Sequence, residues 1–480
     1  MDIASILIDD YIKWKDEPFI YTKEDGIFKY HTFGEFIENT LYLAKGFSEL
    51  GLNNNKFMIF SENSLNYLLC ETAVTSYTGI IINVDKNYKV YDLDNAITKT
   101  LPDVFLYSSR QKDIVNKLKE KYPTIKYIEL ESYIPKIIQI GKSVIKNKVE
   151  LLEMRKNNAK KCCKIIFTSG STSRPKPVMI SGENIINGYP CCNSRIPMNK
   201  NQRDYLFLPL SHVFASCDFY YSLISGKKLY LSSSIKNIEI ELSQVKPNFL
   251  ISVPLICERI YRAVNGESSK LKELYGGELE KIIIGGSKVS KQLKQNYYDA
   301  GIWLKEVYGM SEMVTTLSGN SVYDDDIEAT GSLYDKYEYK IIDKDEDGIG
   351  ELIVKKPDPF LGYYNDDDST KEALDEDGFY HTGDLGKIVD NKFYYKKRKD
   401  RIFVLQNGEK VNPKELEALI QKRCHVEKVN IYLNNDVLHA ILYTNDLANY
   451  DESFSSINDD LPKYKHIKSY EIRLSNERIK

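Results

Sequence analysis

The chain has 480 residues, 66 basic and 69 acidic side chains and a formal charge of -3, a length beyond the roughly 250–300 residues at which single cores stop growing. Two or three units are expected, and charges of both signs spread along the chain exclude a basic nucleic-acid footprint or a polybasic membrane anchor. The start, MDIASILIDDYIKWKDE, sets two aspartates beside a short apolar run, unlike a secretory leader, and no apolar run nears the ~20 residues of a membrane helix.

In chain order, Lys56 to Ser61 reads as a strand, Ser64 to Tyr77 as a helix, and Gly79 to Val84 and Asp103 to Tyr107 as further strands, the βαβ rhythm of layered α/β proteins. The eight cysteines include the adjacent pairs Cys162–Cys163 and Cys191–Cys192, which lack the two-residue gap of zinc ligands. Neighbours on a strand face opposite sides, so buried, reduced thiols and a cytoplasmic setting are expected. The rhythm recurs at Asp204 to Leu208, Phe249 to Val253 and Lys281 to Ile284, with a helical segment at Pro254 to Val264.

From about Ile341 short strands broken by Gly and Asp predict a small β-rich subdomain. The charge cluster KKRKDR, Lys396 to Arg401, precedes a strand at Ile402 to Leu405, a turn at Asn407–Gly408, and a helix that Asn412 caps and Pro413 opens. The domain boundary is placed at Asp400, which divides the chain into residues 1–399 and a small α+β domain of residues 400–480.

The segment Lys164 to Phe167 delivers the chain into six consecutive small or hydroxyl residues, Thr168, Ser169, Gly170, Ser171, Thr172 and Ser173, before Arg174, Pro175 and Lys176. Hydroxyls and backbone N–H groups can donate to phosphate oxygens, small side chains allow close approach, and Lys176 adds a positive charge. A hydroxyl cluster alone would be a flexible loop, and no Gly-Lys-Ser/Thr ending makes it a Walker loop.

TSGSTSRPKPV closely resembles the TSGSTGxPKGV signature of the adenylate-forming superfamily, which includes acyl-CoA synthetases, peptide-synthetase adenylation domains and firefly luciferase. Tyr308, Gly309, Met310, Ser311 and Glu312 match YGxTE; Tyr380 to Leu385, YHTGDL, match the TGD motif; and KKRKDRIFVLQNGEKVNPKELE resembles the family's hinge and C-terminal entry. The resemblance covers nearly the whole chain. It implies a large layered N-terminal domain of two α/β subdomains plus the β-rich one, and a mobile C-terminal domain turning about Asp400.

The implied chemistry joins a carboxylate to the α-phosphate of ATP, giving acyl-AMP and pyrophosphate, and passes the acyl group to coenzyme A or to the phosphopantetheine of a carrier protein. Two anions must meet, so cations are required. By resemblance Glu312 holds Mg2+, Ser311 touches the α-phosphate, and Tyr308 lies against adenine. Asp384 accepts hydrogen bonds from the ribose hydroxyls with Arg398 beside them, and Gly285, Gly286 and Ser287 form a close-approach turn. His212, in LPLSHVFAS, matches the PxxH segment of acyl- and aryl-CoA ligases, whereas amino-acid-activating domains carry an aspartate for the substrate ammonium, for which Asp218 is the nearby candidate. Gly408 would face the pantetheine tunnel.

The sequence departs from the pattern at Ser173 and Pro177, which replace two glycines, and at the ending NERIK, which sets Arg478, or Lys480 in a shifted register, where the family has a GKI lysine. Arginine is not interchangeable with lysine. Two further readings therefore stand beside the fatty or aromatic acid ligase: an amino-acid adenylation enzyme serving a carrier protein, and a nucleotide- or acyl-binding protein without catalysis.

Overall fold

The computed structural model describes residues 2–154, 156–168, 175–320, 326, 328–358, 360–399, 402–446 and 448–474. Ser169 to Ser173, Asp400, Arg478 and Lys480 lie outside them.

A six-stranded sheet carries Lys126–Glu129, Val104–Tyr107, Asn55–Phe60, Gly79–Asn83, Cys162–Thr168 and Lys176–Ser181 in that spatial order. Its first five strands are parallel and the last antiparallel. Burial of both faces explains the unbroken apolar strand sequences: Phe57 and Ile59 enter one core, while Met58 and Phe60 enter a second core on the opposite face. The helix Phe33–Glu49, which packs on the first face, begins with a capping box in which Thr32 and Glu35 satisfy each other's backbone N–H groups.

A nine-stranded sheet begins with the parallel strands Ile251–Ser252, Lys281–Ile284 and Trp303–Gly309. It then continues antiparallel through Thr316–Gly319, Ser332–Leu333, Lys392–Arg398, Tyr380–Val389, Gly350–Lys355 and Glu338–Ile342. The β-rich segment therefore extends an α/β sheet, and Tyr380 to Gly386 alternate buried with half-buried residues. A four-stranded sheet joins Pro18–Glu24 and Ile27–Thr32 to Lys228–Leu231 and Arg203–Leu206.

Residues from Leu405 to Ile467 have a core of their own, built by the helix Pro413–Cys424, the helix Asp451–Asp460 and a sheet of Lys428–Asn434, Val437–Tyr443 and Ile467–Arg473. Asn412 caps the first of these helices through the N–H of Lys414, 3.0 Å away. All eight cysteines are free thiols. No helix of the described residues is long and apolar enough to cross a membrane.

One buried charge pair fixes the strand that leads into the Ser/Thr-rich segment. Lys164 is 1% exposed, pairs with fully buried Glu71, and donates to Ser216 Oγ at 2.7 Å. Glu71 also accepts from Asn83 at 2.9 Å. Removing the ammonium strands a buried carboxylate, so Lys164→Met is expected to cost about 3–5 kcal/mol, to be read as a lower denaturation midpoint in urea at unchanged slope.

Candidate active site

The C-terminal ends of the parallel strands are where ligands bind in open α/β sheets, and here they meet the C-terminal segment. Thr168 ends one strand and Lys176 opens the next, and the two are register partners. Thr168 Oγ1 is buried and has no hydrogen-bond partner among the described residues. Lys176 is 6% exposed and its amine lies 4.8 Å from the centroid of the Tyr363 ring. The hydroxyl of Tyr363 donates to Glu312 Oε1 at 2.9 Å. Thr168, Lys176, Met310, Glu312 and Arg398 line one cavity of about 200 Å³.

Asp384 ties two motifs together. Its Oδ2 accepts from the Tyr308 hydroxyl at 2.7 Å and its Oδ1 from Arg398 Nη1 at 3.0 Å. Asp384 and Arg398 face each other across adjacent strands, and Arg398 also donates to Thr382 O at 2.8 Å. Burial opposes the guanidinium charge, but Asp384 outweighs it and holds Arg398 above its usual range. Asp384 itself is 5% exposed and stands behind the cavity wall that Thr382, Gly383 and Arg398 form. Arg398 Nε and Ser287 Oγ are, like Thr168 Oγ1, buried without a hydrogen-bond partner among the described residues. Unsatisfied buried groups are few in native proteins, and three of them belong to residues expected to bind nucleotide.

A larger, mainly apolar cavity of about 490 Å³ lies beside the first, lined by Ile196, Met198, Phe207, Val213, Phe214 and Phe249 among others. Gly285, Gly286, Gly309, Met310 and Ser311 form its rim toward the nucleotide motifs. Gly286 and Gly408 both take left-handed backbone, with φ of +87° and +83°. A Cβ built on Gly286 would lie 3.4 Å from Gly408 Cα, so the two backbones all but touch. A side chain at either position would meet the left-handed strain.

His212 precedes the helix Val213–Ser225 and borders both the large cavity and a third one of about 110 Å³. Its Nε2 lies 3.5 Å from Asp85 Oδ2 and 3.6 Å from Glu409 Oε1. Burial works against the imidazolium, but Glu409 and Asp85 prevail and push His212 up to about 10. Burial likewise tends to raise Asp85, yet His212 and the Asn87 N–H bring it below the usual carboxylate range.

Glu409 and Lys410 reach the site on a hairpin that pairs Phe403 with Val411 and Val404 with Lys410. Leu255 N donates to Gln406 O at 2.9 Å, which seats the hairpin on the helix Pro254–Ala263. A second clasp is Lys465, 4% exposed, whose amine lies 3.5 Å from Asp92 and 3.6 Å from Glu415. Asp218 does not stand free: Lys227 Nζ donates to it and to Asp204, each at 2.6 Å.

The structure thus brings Thr168, Lys176, Glu312 and Arg398 to one cavity, and His212, Ser311 and Gly408 to the adjoining ones. Sequence reasoning did not single out Asp85, Tyr363, Glu409 or Lys410 as site residues. Asp85 could have been found from topology, two residues past a parallel strand's C-terminal end. Glu409 and Lys410 stood in the quoted hinge segment, but nothing local showed that its turn enters the site.

Residues 13–364 match the family described as AMP-binding enzyme. The chain is 25% identical to fatty acyl-CoA synthetase B of Dictyostelium discoideum over 85% of its own length and 70% of that protein's. It is 24% identical to a long-chain-fatty-acid–CoA ligase of Xenopus laevis over 86% of its own length and 64% of that protein's. Its fold superposes on o-succinylbenzoate CoA synthetase of Bacillus subtilis with a TM-score of 0.82 at 17% identity, covering 98% of this chain and 94% of that one. For the A-PCP didomain of carboxylic acid reductase from Segniliparus rugosus, in complex with AMP, the TM-score is 0.81 at 20% identity, covering 100% and 78%. Fold and site together define an adenylate-forming ligase architecture. The chain belongs to the AMP-binding enzyme family, with the pattern of its acid–thiol ligases.

The charge on His212 is directly testable. Its raised pKa means that the stabilisation from its carboxylate neighbours is complete below the unfolded value of 6.5 and is lost as pH rises toward about 10. Nitrogen-15 NMR of labelled histidine should show His212 still protonated at pH 8, with Glu409→Gln moving its midpoint down.

Proposed function

We propose that this protein activates a fatty or aromatic carboxylic acid with ATP and transfers the acyl group to a thiol of coenzyme A or carrier-protein phosphopantetheine. The observation that carries the reading is the meeting of two unlike cavities: one lined by Thr168, Lys176, Glu312 and Arg398, the other apolar, with Met310 bordering both and Ser311 on the rim of the apolar one. The relatives named as fatty acyl-CoA ligases support the acid class.

In the first step a carboxylate oxygen bonds to the α-phosphorus, the bond from that phosphorus to the bridging oxygen breaks, and pyrophosphate leaves. Lys176 and the hydroxyl of Thr168 hold phosphate oxygens, together with the backbone and hydroxyls of Ser169, Gly170, Ser171 and Thr172. Ser311 contacts the α-phosphate. The adenine lies against Tyr308, with Gly309 and Met310 beside it and Gly286 and Ser287 along its edge. Arg398 faces the ribose and phosphate, and each Asp384 oxygen keeps a lone pair for a ribose hydroxyl beyond the bonds from Tyr308 and Arg398. Arg478, or Lys480, bridges the carboxyl and phosphate oxygens.

Glu312, one oxygen of which is fixed by the Tyr363 hydroxyl, would hold a Mg2+ ion. The ion would supply charge neutralisation on the phosphates. In the second step a thiolate sulfur bonds to the acyl carbon, the acyl carbon–oxygen bond breaks, and AMP leaves. We place that step in the arrangement seen here, with the segment after Asp400 swung in, Gly408 along the thiol's path and His212 beside the acyl carboxyl.

Amino-acid activation needs a buried acid free for an ammonium group. Asp218 is engaged by Lys227, and Asp85 and Glu409 flank His212, which supports an uncharged acyl chain instead.

ATP–pyrophosphate exchange over a panel of fatty, aromatic and amino acids tests the reading, followed by mass detection of the product on coenzyme A and on a carrier protein. Exchange is expected with a fatty or aromatic acid, and Glu312→Gln should lower it by about 10²–10³. Calorimetry showing ATP binding while no acid supports exchange would overturn the reading in favour of a binding protein.

A further inference from the structure

Three cavities meet at one side chain. Lys410 lines the apolar cavity, the small cavity beside His212 and the cavity around Glu312, and among the described residues it alone lines all three. We propose that Lys410 is a catalytic residue of the thiol-transfer step, its ammonium group contacting the phosphate of the acyl-adenylate as AMP departs. This rests on the two-step reading above and adds to it a residue that the nucleotide motifs do not contain.

The hairpin explains how the amine arrives there. Lys410 pairs with Val404 on a two-stranded ribbon whose turn brings Gly408 against Gly286. Glu409 follows and is drawn to His212. Successive side chains leave a strand on opposite sides, so seating Glu409 on the His212 side sends Lys410 toward Glu312. Its electrostatic surroundings agree: burial and Arg398 lower its amine below the usual lysine range, while Asp384 and Glu312 act in the other direction. All three are nucleotide-site residues.

The other cations nearby each have a protein partner. Arg398 is held by Asp384 at 3.0 Å and Lys399 by Glu351 at 2.8 Å. Lys176 rests over Tyr363. The Lys410 amine forms no hydrogen bond or ion pair with a described residue, so it stands in the cleft without a direct partner. Such a point charge suits a phosphate monoanion. When the thiolate, its proton already lost to water, bonds to the acyl carbon, the electrons of the breaking carbon–oxygen bond pass to the phosphate oxygen of AMP. A cation there stabilises the charge that the transition state develops.

The test separates the half-reactions. Wild type, Lys410→Met and Lys410→Arg are supplied with synthetic benzoyl-AMP or octanoyl-AMP and coenzyme A, and thioester formation is followed in single turnovers beside ATP–pyrophosphate exchange. Lys410→Met is expected to lower the ratio of transfer to exchange by about 10²-fold, and Lys410→Arg to restore part of it. Transfer by the folded Met variant at the wild-type rate, or an equal fall in both half-reactions, would overturn the assignment. Failure of the wild type to transfer from either adenylate would instead sink the underlying two-step reading, and this proposal with it.

Discussion

Asp384 makes an ion pair across two antiparallel strands, and much of the site hangs from it. One oxygen holds Arg398, the other the hydroxyl of Tyr308, which belongs to a strand elsewhere in the same sheet. A carboxylate offers several acceptor sites, so one buried residue can orient a guanidinium and a phenol at once. Because the parallel and antiparallel parts of the sheet are continuous, that bond set registers the YGMSE turn against the HTGDL strand. Glu312 then falls within reach of Tyr363, and Tyr363 of Lys176.

The second constraint is charge at the mouth of the cleft. Asp85, His212 and Glu409 keep their ligating atoms within 4.8 Å of one another, and Asp92, Lys465 and Glu415 repeat the pattern of one cation between two carboxylates. In each group one acid comes from the segment after the strand Gly79–Asn83 and the other from beyond residue 400. The Asp92, Lys465 and Glu415 group is buried, and such groups stabilise little by themselves but are costly to break singly, so it favours one arrangement of the two parts over its near neighbours.

The α/β class was legible in the sequence from its strand and helix rhythm, and the shared cavity of Lys176, Glu312 and Arg398 was foreshadowed by compact motifs whose spacing survives without three-dimensional information. The continuity of the nine-stranded sheet was not, since Thr316–Gly319 and Ser332–Leu333 are short and join the two halves through non-local pairing. Asp85 gave no local signal, and its place beside His212 depends on a contact between residues far apart in the chain. The engagement of Asp218 by Lys227 was equally hidden, because a buried ion pair leaves no periodicity.

The contact between Gly286 and Gly408 bears on how the two parts could separate. Here backbone meets backbone, with the Val253 side chain 3.5 Å from a Cβ built on either glycine. With φ of +87° and +83° both positions also discourage larger residues. The junction nearest the chemistry is therefore glycine backbone on glycine backbone, and its grip comes from the very next residue, Glu409, through His212.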